Sequence, residues 1–181
     1  MCEIVCPDHR PQMASVRPNI FTAEKAAKEN VLITEVDDLT FVEANHIRIK
    51  EERQLLSKGD SIANADRVIA IGRGAVDDKT LALVEELALK LGAKIGVTRQ
   101  LTDHPKFTVD DQIGQSGNTI APQLLINLGI HGAVQFVTGI GNAEFVISVN
   151  TNKDAPIFDH SDYGYVGDAA DFLTEFLKIV Q

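Results

Sequence analysis

From Asp66 onward the chain alternates short apolar runs with stretches of helical spacing, and this alternation leaves few architectures open. Arg67 to Ile71 predicts a short strand ending in Gly72-Arg73-Gly74. Asp77 or Asp78 can cap a following helix, in which Leu81, Val84, Leu87, Ala88 and Leu91 recur at helical spacing. Gly92 is a natural stop. Lys94 to Val97 is the next strand and runs into Thr98-Arg99. A polar loop with Asp103, Pro105 and Asp110 leads on to Gly114. Leu124 to Ile130 suits either helix or strand, because periodicity alone does not decide. Glu144 to Asn150 and Tyr163 to Val166 read as strands. A last helix carries Phe172, Leu173, Phe176, Leu177 and Val180 on one face, with Asp168 near its start. The pattern implies an α/β fold, a mostly parallel sheet with helices on both faces. Ligands bind such sheets at the carboxyl ends of the strands, where loops that follow strands should gather.

The length of 181 residues allows one domain plus an extension, and the chain can bury a core without staples. A net charge of −9 with no basic run argues against nucleic acid and against an anionic membrane surface. It leaves an acidic ligand open, since a local Arg can outweigh a global charge. Cys2 and Cys6 have no second pair after them, so a structural zinc site is not expected. Sharing of a metal among Cys2, Cys6 and His9 is the minor reading, and reduced thiols in a cytosolic strand the major one. The N-terminus lacks a basic segment followed by a long apolar run, and no window approaches a membrane span. A cytoplasmic protein without membrane insertion is expected.

Residues 1–60 differ from the rest. Pro7, Pro11 and Pro18 interrupt regular structure there. Ala14-Ser15-Val16 and Val31-Leu32-Ile33 look like strand pieces, with weaker candidates at Thr40-Phe41-Val42 and at the alternating His46 to Lys50. Ser57-Lys58-Gly59-Asp60 is the expected boundary between an irregular β-containing arm (1–60) and the α/β domain (61–181). Exposed apolar edges in the arm would favour a homodimer or strand swapping.

Three small-residue loops carry the functional signal. Gln112-Ile113-Gly114-Gln115-Ser116-Gly117, continuing to Asn118, offers backbone N–H groups, amides and a hydroxyl with no net charge. That set suits the edge of a heteroaromatic ring, or a plain surface turn. His131-Gly132-Ala133 reads as a helix start before Val134-Gln135-Phe136, where bare N–H groups could hold a pyrophosphate. Thr98-Arg99 ends a strand, and ligand contact is favoured over a solvated Arg. A guanidinium over a ring that gains an electron would stabilise the resulting anion. Gly72-Arg73-Gly74 is either a turn carrying Arg73 toward a phosphate or a turn with a solvated Arg. It lacks the third Gly of a dinucleotide fingerprint. Asn150 ends a strand and could reach a ribose or adenine; Asp168 could do the same, or only cap its helix. No nucleophile–base constellation stands out, so the chain looks better built to hold a cofactor than for acid–base chemistry.

Together these residues resemble the FAD-binding domain of the electron-transfer flavoprotein alpha subunit. The carriers are Val68 to Gly74, Gly96-Val97-Thr98-Arg99, Gln112 to Gly117, Ile120-Ala121-Pro122, Leu128-Gly129-Ile130, Gly132-Ala133-Val134-Gln135, Asn150, Ala155-Pro156-Ile157-Phe158 and Asp162-Tyr163-Gly164. Upstream, Arg10 to Pro18 looks like the family's segment that leaves its N-terminal domain. The resemblance implies a Rossmann-like FAD-binding domain that relays electrons from a dehydrogenase to an acceptor and pairs with a beta subunit. It implies FAD contacts from Arg73 and Thr98, Arg99 over the isoalloxazine, and Ile113, Gly114, Gln115 and Ser116 along the flavin edge, with Ser116 near N5. His131, Gly132, Ala133, Val134, Gln135 and Phe136 would follow the pyrophosphate and ring, and Asn150 and Asp168 would hold the adenosine end. It also implies a strand at Leu124 to Ile130. Phe136 stands where many members carry His, so a ring-polarising donor is missing, and Asn118 stands where many have Lys. The chain is about half the family's length and begins near the end of the family's first domain. An electron carrier is the favoured reading. A flavin-linked component of an acyl-CoA reductase complex and a nucleotide-binding module without redox work are the rivals.

Overall fold

The computed structural model describes residues 61–180 and, before them, only residues 5, 7–8, 10–16, 21, 25, 35 and 50. Five strands, β1 (Arg67–Ile71), β2 (Lys94–Val97), β3 (Leu124–Leu128), β4 (Val146–Asn150) and β5 (Tyr163–Val166), form one sheet. Their order is β2-β1-β3-β4-β5, and every neighbouring pair is parallel. Three α-helices accompany them: α1 (Asp78–Leu91), α2 (Val134–Val137) and α3 (Ala169–Ile179).

The near-continuous apolar runs of β1 and β3 are what a parallel strand covered on both faces requires. In β1, Ile69 and Ile71 enter one core layer and Val68 and Ala70 the other. The ambiguous run at Leu124 is a strand, because β1 and β4 pair with it on both sides and Gly129 ends it after five residues.

Helices cover both faces unequally. α1 and α3 pack together on one face, where Leu81, Val84, Leu87 and Leu173 meet Ile69, Ile71, Ile126, Leu128 and Val149. The other face carries the single turn α2 and a set of loops, which bury Ile113, Ile120, Ile130, Phe136, Ile140 and Ile157 over Val68, Ala70 and Leu125.

The helix ends follow the chemistry expected of their residues. Asp77 is the N-cap of α1; its carboxylate accepts from the Thr80 N–H at 3.0 Å and from the Thr80 hydroxyl at 2.6 Å. Gly92 closes the helix in the left-handed conformation at φ +61°, and the next N–H, of Ala93, returns to the Ala88 carbonyl at 2.9 Å.

Ala14-Ser15-Val16 departs from expectation. It lies outside any strand and is exposed, with Val16 63% exposed. Three apolar or small residues between Pro11 and Pro18 have too little surface to bury against a sheet. The strand pieces expected at 31–33, 40–42 and 46–50 (Lys50, described and outside any strand, excepted), the boundary at 57–60 and the Cys2, Cys6, His9 group lie outside the described residues.

Two glycines with the same backbone conformation separate strain from space. At Gly92 an added Cβ would meet only the Arg67 guanidinium, at 4.0 Å. Gly92→Ala should therefore lose roughly 1–2 kcal/mol, the left-handed penalty alone. At Gly129, φ +62°, the Cβ would sit 2.6 Å from the Gly74 carbonyl carbon. Gly129→Ala should cost on the order of 3 kcal/mol or more in urea unfolding, because backbone must move as well. Equal losses for the two variants would show that the Gly74 and Gly129 backbones are not in contact.

Asp77 carries a pH signature. Hydrogen bonds from the Thr80 hydroxyl and the Thr80 backbone hold its carboxyl below the ordinary 3.8. A depressed folded value gives stability that is present above 3.8 and lost as the pH falls below it. Asp77→Ala should lower stability by about 1 kcal/mol at neutral pH. The gap in melting temperature between variant and parent should shrink in strongly acid buffer; a constant gap would remove the carboxylate from the cap.

Candidate functional site

All five strands are parallel, so the segments after them gather at one edge of the sheet. These are Gly72-Arg73-Gly74, Thr98-Arg99, Gly129 to Ala133, the segment after Asn150, and Gly167-Asp168. The strand order reverses between β1 and β3. Helix α1, after β1, goes to one face, and α2, after β3, to the other. A crevice at such a switch point is where open α/β sheets take ligands.

Here glycines seal the floor of that crevice. A Cβ on Gly72 would lie 2.4 Å from the Gly129 carbonyl oxygen, and one on Gly74 3.2 Å from the same atom. The Gly74 N–H donates to that carbonyl at 3.3 Å, and Gly72 N–H to Leu128 at 2.8 Å. The two glycines of Gly72-Arg73-Gly74 are thus required by packing against β3's exit. Arg73, between them, is exposed and has no hydrogen-bond partner among the described residues.

The loop 112–118 is folded on itself and on α2. The Ile113 N–H donates to Val97 at 2.9 Å, which sets the loop beside Thr98. Gln112 is buried, and its Nε2 donates to the Ser116 hydroxyl at 2.8 Å, holding that exposed hydroxyl in place. Gly114 is left-handed at φ +132°, and a Cβ there would meet the Gln135 carbonyl oxygen at 2.6 Å. That same carbonyl accepts from the Gln115 N–H at 2.7 Å. A Cβ on Gly117 would reach the Gln112 oxygen at 2.4 Å. Ile113 and Gly114 are buried, while Gln115 and Ser116 face solvent.

The segment 130–136 holds the most distinctive geometry. The Asn150 side-chain amide donates to the Ile130 carbonyl at 2.8 Å, and the Ile157 N–H donates to the His131 carbonyl at 3.1 Å. Gly132, φ +95°, lies so close to Ile157 that a Cβ would meet its nitrogen at 2.3 Å. Among the described residues no protein acceptor meets the N–H groups of His131, Gly132, Ala133, Val134 or Gln135. Five consecutive donors without a protein acceptor lie at one sheet edge, a run that suits an anion with several oxygens. His131, Ala133, Val134 and Gln135 are exposed. Phe136 differs from them: its ring is only 5% exposed and packs in the loop-side core.

Three expected ligand residues already have protein partners. Asn150 donates to Ile130 and accepts from the Asn152 N–H at 2.9 Å. One Asp168 oxygen caps α3, accepting from Ala170 at 2.8 Å and Asp171 at 3.3 Å, and its other oxygen has no partner among the described residues. Arg99 donates to the Thr102 hydroxyl over its own turn, and its guanidinium stays exposed. Ile157 and Asn127 also shape this edge; the sequence offers Ile157 only as part of the family resemblance and assigns neither residue a role at the site. The signal for Asn127 was visible, as a polar side chain inside the apolar run Leu124 to Ile130. A separate groove of about 340 Å³ lies at the amino ends of β4 and β5, beside Glu144, His160 and Asp162, and includes none of the expected site residues. Among the described residues no helix is long and apolar enough to cross a membrane, and no group of three or more His, Cys, Asp or Glu side chains could hold a metal ion.

Comparison with known proteins agrees with this geometry. Residues 61–141 match the electron transfer flavoprotein FAD-binding domain. The chain is 37% identical to the lactate dehydrogenase (NAD(+),ferredoxin) subunit LctC of Acetobacterium woodii, over 100% of this chain and 43% of that protein. It is 35% identical to the protein FixB of Clostridium saccharobutylicum, over 98% of this chain and 53% of the relative. It is 36% identical to the electron transfer flavoprotein subunit alpha of Thermoanaerobacterium thermosaccharolyticum, over 93% and 51%. The chain thus spans about half the length of the curated relatives it matches. With a parallel sheet, a switch-point edge and a run of free backbone donors already in place, the match has a physical basis, and the chain belongs to the electron-transfer flavoprotein alpha-subunit family through its FAD-binding domain.

Proposed function

We propose that this chain holds FAD at the carboxyl edge of its sheet and relays electrons, with residues 61–181 as the working domain. The single observation that carries the reading is the run of five unpaired N–H groups from His131 to Gln135. A pyrophosphate is a doubly charged group with several acceptor oxygens, and such a run meets it without any cationic side chain. The residues present therefore fit the cofactor. When bound, the flavin supplies the electron-accepting ring.

The chain's own residues do the rest. Gln112 presets the Ser116 hydroxyl beside Gln115, so that Gln115 and Ser116 offer a fixed, uncharged edge, resting on Ile113 and Gly114, which are buried and whose N–H groups are taken up by Val97 and Asn118. Arg99 brings a permanent positive charge near negative charge that develops on the ring, and Thr98 starts the turn that carries it. Arg73 serves the phosphates. Asp168 has one carboxylate oxygen free for a ribose hydroxyl, while Asn150 acts chiefly by fixing Ile130. Phe136 contributes its backbone and a packed ring, with no donor for the flavin. The fuller role includes a beta subunit, an electron-donating dehydrogenase and a cytoplasmic setting. A relative whose name places it in a lactate dehydrogenase supports the dehydrogenase partner.

FAD titration by fluorescence quenching tests the reading. The parent chain should quench FAD, and Arg99→Ala should weaken binding by roughly tenfold, the value of one charge-assisted contact. Unchanged affinity in Arg99→Ala would remove Arg99 from the ring. Binding of ADP without FAD would favour a nucleotide-binding module, and turnover of an acyl-CoA by the chain alone would favour a reductase component.

A further inference from the structure

We infer that Ser161, with Ser148 and Asn127 behind it, is a positioning residue that, through Ile157, turns the Gly132 N–H toward the ligand. The inference rests on the FAD reading above. It begins with a buried polar chain that no part of that reading uses. Asn127 on β3 is 1% exposed and Ser148 on β4 is fully buried, both within otherwise apolar strands. Asn127 Nδ2 donates to the Ser148 hydroxyl at 3.1 Å. The Ser148 and Ser161 oxygens are 2.6 Å apart, and Ser161 lies 2.7 Å from the Ile157 carbonyl. Each hydroxyl has one proton, so one direction satisfies every link: Asn127 donates to Ser148, Ser148 to Ser161, and Ser161 to the Ile157 carbonyl. Donors in series polarise one another, which strengthens the last link.

Ile157 is where this chain meets the anion-holding segment. The residue is fully buried; Ser161 holds its carbonyl, and its N–H donates to the His131 carbonyl at 3.1 Å. In a trans peptide the C=O and the following N–H point in opposite directions. A His131 carbonyl taken up by Ile157 therefore turns the Gly132 N–H to the side away from Ile157. The Asn150 amide does the same one residue earlier, through the Ile130 carbonyl and the His131 N–H. Two peptide units are thus set by groups beneath the loop, and Ser161 secures one of them. Asn127 Oδ1 is buried with no hydrogen-bond partner among the described residues. An orphan acceptor of this kind opposes folding, and a polar chain bought at that cost suits a role in orienting the loop.

The test uses the 181-residue chain, titrated with FAD and, separately, with ADP, which carries the pyrophosphate without the flavin ring. Ser161→Ala should raise the dissociation constants for FAD and ADP by the same factor, about threefold to tenfold. Ser161→Thr, which keeps the hydroxyl, should restore both. Hydrogen exchange of the Ile157 amide should quicken in Ser161→Ala without any ligand while that of the Ile69 amide in β1 stays as in the parent, which separates loss of this link from general instability. Parent binding of both ligands with Ser161→Ala unchanged would overturn this inference and leave the FAD reading standing. So would weakening of FAD alone, or an Ile157 amide as protected as in the parent. A parent that binds neither ligand would overturn the FAD reading and this inference with it.

Discussion

The carboxyl edge of this sheet depends on backbone packed directly on backbone. Gly72 and Gly74 lie on Gly129, Gly114 on Gln135, and Gly132 on Ile157, each too close for a Cβ. These contacts join loops from β1, β3 and the 112–118 segment into one surface. They also carry hydrogen bonds: Gly74 to Gly129, Gln115 to Gln135, and Ile157 to His131. The N–H groups of Gly72, Gly74, Ile113, Gly114 and Gln115 are taken up inside the protein; with the Ile130 and His131 carbonyls also taken up there, the N–H groups of 131–135 are the ones left for solvent or ligand. A glycine-rich loop is commonly read as a place where a ligand approaches the main chain. Here the glycines chiefly let one loop approach another, and the free donors follow from that.

Much of the fold was legible because local chemistry and tertiary demand agree. Asp77 and Gly92 cap and end α1 as their residue types predict, and β1 and β2 begin and end where the apolar runs do. The run at Leu124 was ambiguous for a physical reason: a strand covered on both faces has no period-two signal. Resemblance to a family supplied the strand where periodicity could not. The unequal covering of the two faces was not legible. Nothing in the composition distinguishes a loop layer holding Ile113, Ile120 and Ile140 from a helical one, since both need buried aliphatic side chains.

The site was legible as a set of loops but less so as a set of roles. Gln112, Ser116 and the 131–135 segment stand out as candidates because hydroxyls, amides and small residues follow strands. The roles of Asn150 and Asp168 were harder, because a polar residue at a strand end can serve ligand or backbone equally well. Asn150 spends one donor and one acceptor on the protein, and Asp168 caps α3 with a single oxygen. Phe136 follows directly after exposed donors, yet its ring belongs to the core. On a helix, adjacent side chains are turned roughly 100° from each other, so adjacency to a binding segment says little about contact.

Charge raises the last question, since a chain of net charge −9 is a poor long-range attractor for an anion. At physiological salt the Debye length is about 8 Å, so most of that charge is screened from a ligand at the edge. What remains is local: two exposed guanidinium groups, Arg73 and Arg99, and a row of backbone dipoles. Dipoles act at contact and fall off faster with distance than charges, so they hold an anion without steering it. Retention by such a site depends on how firmly its peptides are oriented. The burden then falls on the groups beneath the loop, on Asn150 and on Ile157 with the polar chain that grips it, more than on any cation facing the ligand.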